Sequence, residues 1–209
     1  MKVLELFAGT RSIGNAFEAR GHSVFSVDWD ESFPGLSYCG DIQELTASFI
    51  LDRFGRPDVI WASPDCSTYS ILCISKHRHK EGFAPKTEKA ARCDATNIHV
   101  LELIKELSPS LYFIENPRGA LSKMHFMQGI PKYLVTYCQY GDNRQKPTHI
   151  FTNHPNPGFL PPCKNGALCH DAAPRGSQTG TLGRKNAKER ARIPAALCNH
   201  IVSLCENGI

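Results

Sequence analysis

Val59-Ile60-Trp61-Ala62-Ser63-Pro64-Asp65-Cys66-Ser67 runs from an unbroken apolar stretch into a turn that carries a thiol. Four consecutive apolar residues ending at Ser-Pro suit a strand buried on both faces, as the strands of a parallel sheet are. A second run, Leu111-Tyr112-Phe113-Ile114, leads into Glu115-Asn116-Pro117. In a parallel sheet both strands end at the same edge, where open α/β sheets bind ligands. A thiol and a carboxyl group would then meet in one pocket, the minimum for covalent catalysis with an acid partner.

The same reading extends along the chain. Further strand-like runs cover residues 3–7, 24–27 and 133–138. Helical spacing appears at 12–20 (Ile13 and Phe17 inward) and at 42–54 (Leu45, Phe49 and Ile50 inward). The longest helix is expected over 88–107, with Ala91, Ala95, Ile98, Leu101 and Ile104 as its buried stripe and Ser108-Pro109 as its stop. Alternation of this kind predicts an α/β fold with a doubly wound, mostly parallel sheet. From His154 to about 183, prolines and glycines replace the periodicity, as in an ordered insertion or long functional loop. The expected organisation is a catalytic domain at 1–153, a small Pro/Gly-rich insertion at 154–186, and a C-terminal helix at 187–209 packing back on the sheet.

A chain of 209 residues, 41% hydrophobic and 21% charged, fits one globular domain with a sizeable core. Its apolar runs are too short to span a membrane. The first residues, Met1-Lys2-Val3-Leu4-Glu5, start as a strand and lack the features of a signal peptide. A cytoplasmic protein is expected, and a monomer is sufficient. There the nine cysteines would stay reduced, with Cys39, Cys73, Cys93, Cys138, Cys198 and Cys205 serving as small buried hydrophobes. The net charge is +4, and basic residues cluster at Lys76-His77-Arg78-His79-Lys80 and from Arg175 to Arg192. Such clusters suit a phosphate backbone, or simply a solvated surface.

The turn after the first strand reads Phe7-Ala8-Gly9-Thr10-Arg11-Ser12. Small residues there let a ligand approach the backbone, but the glycine spacing matches neither a dinucleotide fingerprint nor a phosphate-binding loop. Asp28 at the end of the second strand could accept ribose hydroxyls, and the adjacent Trp29 could cover an adenine. Asp41-Ile42 adds a carboxylate for an exocyclic amine. An adenosine without phosphates fits this set, and S-adenosylmethionine is such a ligand.

Taken in order, these segments resemble the cytosine-5 DNA methyltransferase family, in the compact form carried by bacteriophages. Phe7-Ala8-Gly9 is similar to its first motif, with Thr10-Arg11 where a second glycine is usual. Ser63-Pro64-Asp65-Cys66 resembles the Pro-Pro-Cys segment, and Glu115-Asn116-Pro117 resembles Glu-Asn-Val. Gln139-Tyr140-Gly141-Asp142-Asn143-Arg144 is similar to the Gln-x-Arg-x-Arg region, with Lys146 near the place of the other arginine. Lys188 to Pro194 resembles contracted closing motifs. The resemblance implies methylation of DNA cytosine at carbon 5, with Cys66 as nucleophile, Glu115 contacting the ring nitrogen and amine, and Arg144 contacting the ring oxygen. It also implies that Phe7, Ala8, Gly9, Thr10, Asp28, Trp29, Asp41, Ile42 and Pro64 hold S-adenosylmethionine. A helix N-terminus following Cys66, together with Arg144, is expected to favour the thiolate. The loop after Cys66, with His77 to Lys80, is expected to close over a base flipped from the stack.

Two alternatives remain at this point. The same fold could act on RNA or a nucleotide or transfer a modified group, or the chain could be a nucleic-acid-binding module with a silent site. Finally, His154, Cys163, Cys169 and His170 lie together in the insertion and match the ligand types of a structural zinc site. Two free thiols in a turn segment would look the same in sequence.

Overall fold

The computed structural model describes residues 1–164, 166–172 and 187–208. Seven strands form one sheet: β1 (Lys2–Leu6), β2 (Ser23–Asp28), β3 (Tyr38–Cys39), β4 (Val59–Ala62), β5 (Leu111–Pro117), β6 (Lys132–Thr136) and β7 (Pro147–Thr152). Their order is β3-β2-β1-β4-β5-β7-β6. The first five strands pair in parallel, and β7 runs antiparallel to both β5 and β6. The sheet is therefore mostly parallel, as expected. β3 and β7 are strands that the apolar runs do not reveal.

Helices cover both faces. Alternate residues of β4 divide between two apolar clusters: Ile60 and Ala62 join one, Val59 and Trp61 the other. The first cluster packs under α2 (Ala47–Arg53) and α4 (Glu88–Leu107), the second under α1 (Ser12–Glu18) and α6 (Ala195–Gly208). Burial on both sides is why these strands read as continuous apolar runs.

Two expected helices are each divided. Across 42–54, Asp41 caps a 3-10 turn by accepting from the amide of Gln43, and Thr46 caps α2 by accepting from that of Phe49. Side chains that capture nearby amides start a helix rather than continue one. Across 187–204, Pro194 separates the short α5 (Ala187–Ala191) from α6, since proline lacks the amide that a helix interior requires.

Helix α4 has the expected bounds but presents a different face. Ala91, Ala95 and Ile98 are exposed, while Ala90, Cys93, Asn97, Val100, Leu103, Ile104 and Leu107 are buried. Asn97 explains the shift, because its amide donates to the Tyr69 hydroxyl and to the Cys93 carbonyl. A satisfied polar residue can occupy a core position that an apolar count passes over.

Among the cysteines, Cys93, Cys138, Cys198 and Cys205 are buried as expected, but Cys39 and Cys73 are exposed. All nine are free thiols. Residues 153–172 form neither helix nor strand among those described; 173–186, which include Arg175 and part of the second basic cluster, lie outside the described residues. No helix among the described residues is long and apolar enough to cross a membrane.

Candidate active site

Ala62 pairs with Ile114, so Cys66 and Glu115 both lie just past the carboxyl edge where β4 and β5 run side by side. Both line one cavity of about 680 Å³, which also reaches Phe7, Ala8, Gly9, Thr10, Ser12 and Pro64. Glu115 is 6% exposed, and its Oε1 accepts from the Tyr137 hydroxyl at 2.8 Å and lies 3.8 Å from Lys146 Nζ. The next residue, Asn116, donates to the Pro64 carbonyl at 3.0 Å. One dipeptide thus supplies a carboxyl group to the cavity and ties down the loop that carries the thiol.

Asp65 stiffens the same turn. Its carboxylate accepts from the Ser67 amide at 2.7 Å and from the Ser67 hydroxyl at 2.9 Å, an Asx-turn in the position where a second proline would otherwise restrict the chain. Gly119 holds the loop from the other side. A Cβ there would sit 2.4 Å from the Tyr69 carbonyl oxygen, which accepts from the Ala120 amide. The turn after Cys66 leads to no immediate helix, and α3 (Ile74–His77) begins eight residues later. The helix N-terminus expected beside the thiol is therefore absent.

The electrostatics follow from this arrangement. Burial, then the Glu115 and Asp65 carboxylates, push the Cys66 thiol up to about 11, with Lys146 opposing. Burial and the two nearby carboxylates thus favour the neutral thiol.

No protein-family model matches the sequence. A curated relative from Frog virus 3, described as a "Probable DNA (cytosine-5)-methyltransferase", is 30% identical over 227 aligned residues, covering 98% of this chain and 100% of that protein. The chain belongs to the DNA cytosine-5 methyltransferase family. Among solved structures it is similar to the Entamoeba histolytica methyltransferase EhMeth (TM-score 0.53, 15% identity, 81% of this chain and 56% of that one). It is also similar to the Dnmt2 methyltransferase of Schizosaccharomyces pombe (TM-score 0.51, 13% identity, 73% and 48%). This chain spans about half the length of those two proteins, and at such identities the likeness is one of fold.

Within this methyltransferase, Arg144 is not where the resemblance puts it. Its side chain is 2% exposed and paired with Asp142. The guanidinium also donates to the carbonyls of Glu189, Arg190 and Arg192. Those carbonyls close α5 and the turn after it, and a helix end leaves such groups without intrahelical partners. Arg144 is thus a C-terminal cap, spent on backbone oxygens and absent from the cavity lining. Lys146, two residues on, is the cation beside Glu115 in the cavity. Its Nζ lies 4.4 Å from the Tyr137 ring centroid and donates to the Arg190 carbonyl at 3.2 Å. Arg118 and Arg190 line the cavity as well.

The basic run after Cys66 is also divided. Arg78 is fully buried, donating to both Asp94 oxygens and to Thr68, with its guanidinium 4.1 Å from the Tyr69 ring centroid. It anchors the loop and cannot reach a phosphate; Lys76, His79 and Lys80 are exposed, and His77 is half-buried beside the Thr87 hydroxyl. Ile71 and Leu72, 70% and 62% exposed, form an apolar tip on that loop.

At the expected cofactor end the structure divides the candidates. Phe7, Ala8, Gly9, Thr10 and Pro64 line the cavity; Asp28, Trp29, Asp41 and Ile42 do not. Asp28 accepts from the amides of Gly9 and Asp30, so its carboxylate shapes the loop. Asp41 pairs with Arg92, Ile42 is buried, and Trp29 is 74% exposed. Phe7 has φ 58, a left-handed conformation that is costly for a bulky residue, and Arg11 has φ 53. Glu5, missed in the sequence, is buried beneath the loop and accepts from the Gly14 amide and the Ser26 hydroxyl. Gly14 is needed there, because a Cβ would meet the Glu5 carboxylate at 2.4 Å. Trp61, also missed, lines the cavity and donates to Ser63.

His154 lies apart from the other expected metal ligands. Its Nδ1 accepts from the Asn156 amide. Cys138 takes the fourth place instead, grouped with Cys163, Cys169 and His170. Its position behind a strand gives it the sequence signature of an inert core thiol.

Proposed function

We propose that this chain methylates carbon 5 of cytosine in DNA, with S-adenosylmethionine as methyl donor and Cys66 as nucleophile. The observation that carries the reading is the meeting of Cys66, Glu115 and Lys146 in a cavity continuous with the Phe7–Ser12 loop, in a chain of this family. The lining suits the cofactor: the rings of Phe7 and Trp61 give one end of the cavity the aromatic character that a sulfonium cation favours. When bound there, the cofactor supplies an electrophilic methyl group.

The protein's own residues act on the base. Cys66 Sγ adds to carbon 6 of the cytosine, forming a carbon–sulfur bond and making carbon 5 an enamine carbon. Glu115 shares a proton with the ring nitrogen, offsetting the charge that enters the ring. Lys146, beside Glu115 and in the cavity, takes the cationic place that Arg144 leaves empty. Once carbon 5 has taken the methyl group, a water accepts its remaining proton, the carbon–sulfur bond breaks, and the sulfur leaves as thiolate to be reprotonated from solvent. The base must be flipped from the duplex or already single-stranded to reach Cys66. Arg118 at the rim and the exposed Lys76 and Lys80 suit a DNA backbone. Nine free thiols suit the reducing cytoplasm as the place of action.

The test is covalent trapping on DNA containing 5-fluorodeoxycytidine, whose fluorine blocks the final elimination. A stable adduct is expected with cofactor present and none with Cys66→Ala. An adduct that persists in Cys66→Ala, or one formed on RNA but not on DNA, overturns the reading.

A further inference from the structure

Cys138 sits in the 3-10 turn Tyr137–Tyr140 that follows β6, while Cys163, Cys169 and His170 sit in the irregular segment beyond β7. Their four donor atoms all lie within 4.8 Å of one another. Cys138 Sγ is 3.6 Å from Cys169 Sγ, Cys163 Sγ is 3.7 Å from His170 Nδ1, and Cys169 Sγ is 3.5 Å from the same nitrogen. A tetrahedral zinc ion, with Zn–S about 2.3 Å and Zn–N about 2.0 Å, separates its donors by about 3.5–3.8 Å. The three distances just given match. A fourth, Cys138 to Cys163 at 3.1 Å, is tighter than two thiolates around a cation but well beyond a disulfide, about 2.05 Å.

Two further observations favour a resident cation. Among the described residues of 155–172, Pro157 alone is buried, and Leu168 is fully exposed, so this segment has almost no apolar core to hold it. A chain so poor in core needs a cross-link to hold one conformation. In addition, side-chain amides of Gln139 and Gln145 each approach a sulfur at 3.4 Å, on Cys169 and Cys163 respectively. Amide donors directed at sulfur are the outer support that thiolate ligands of a metal receive.

We propose that Cys138, Cys163, Cys169 and His170 bind one structural zinc ion. Three sulfurs and one imidazole nitrogen in a closed tetrahedral set suit zinc and leave no open position for chemistry. None of the four lines the Cys66 cavity, so the ion is a clasp. It fastens residues 163–170 to the 136–146 stretch that ends at Lys146. Gln145 links the two, its carbonyl accepting from the Tyr137 amide and its side chain donating to the Cys163 carbonyl.

Elemental analysis of the full-length protein, purified under reducing conditions after zinc supplementation, should give about one zinc per chain. Cobalt(II) put in its place should show the intense visible bands of a tetrahedral thiolate site. His170→Ala and Cys163→Ser should lower retained zinc at least tenfold, while His154→Ala leaves it unchanged. Protein without zinc or cobalt binding after reconstitution overturns the proposal, as does a Cys138–Cys163 disulfide in the non-reduced mass spectrum. Loss of metal in His154→Ala as complete as in His170→Ala overturns this ligand set. The wild-type metal content is decisive even where a variant folds poorly, and it is independent of the trapping experiment at Cys66.

Discussion

The protein uses cysteine in two opposed settings. Cys66 is a single thiol desolvated at a sheet edge, with Glu115 and Asp65 near enough to hold it protonated. Cys138, in the turn after β6, converges with Cys163, Cys169 and an imidazole from the segment beyond β7. Burial and the carboxylates around the Cys66 sulfur hold its charge back. Three sulfurs in contact place the opposite demand, a cation that stays. The difference lies in the neighbours rather than in the residue, and it separates a transient thiolate from permanent ones.

Removing the sulfur in each region gives the largest contrast. Cys66→Ala should lower methyl transfer to DNA by about 1000-fold or more, the scale on which loss of a covalent nucleophile is felt. Cys169→Ser, on the exposed edge of the cluster, should retain activity within about tenfold of the parent protein, since it touches neither base nor cofactor. Incorporation of labelled methyl groups at saturating cofactor measures both. If Cys66→Ala keeps a tenth of the parent activity, the two regions are not divided as described.

Much of this contrast is legible in the sequence alone. β4 and β5 announce themselves because both faces are buried, and their parallel pairing brings Cys66 and Glu115 to one edge. β7 is hidden there: it opens at Pro147, and His149 interrupts its apolar residues. Without β7, the exchange between Arg144 and Lys146 cannot be seen. Which of two cations reaches the cavity depends on which backbone oxygens need a cap, and those belong to α5, over forty residues away. Arg78 tells the same story, since only Asp94 on α4 shows that a residue in a basic run faces inward. The fourth metal ligand escapes for a related reason. Cys138 has the apolar neighbours of a core thiol, and only the return of 163–170 across it supplies partners.

The electrostatic half of the comparison is sharpened by pH. The Cys66 thiol, raised from an ordinary 9.0 to about 11, is more protonated in the folded protein than in the unfolded chain. The stability this gives is complete below about pH 9 and is lost as pH climbs toward 11. Its alkylation by iodoacetamide, followed by peptide mass mapping, should rise about tenfold per pH unit from 8 to 10, because only the thiolate reacts. Glu115→Gln removes the larger of the two carboxylate effects, so alkylation at pH 8 should be several-fold faster, roughly 3- to 10-fold. Lys146→Met removes the opposing cation and should slow it. A Glu115→Gln protein that reacts no faster would mean burial alone sets the thiol.

The smallest effect concerns whether the two regions communicate. Among the described residues a short path between them runs from Cys163 through Gln145 to Lys146, and Lys146 is a minor influence on Cys66 beside burial and the two carboxylates. Stripping the metal with a chelator under reducing conditions should therefore change the Cys66 alkylation rate by less than about twofold. The thermal midpoint should fall by about 5–10 °C, as expected when roughly 2–3 kcal/mol of ligand stabilisation is lost from a domain of this size. Calorimetry and the same mass mapping give both numbers from one sample. A fall in midpoint with unchanged alkylation marks the clasp as a fastening of the 163–170 segment alone. A several-fold change in alkylation would instead make Lys146 the link, its ammonium held beside Glu115 only while the clasp is closed.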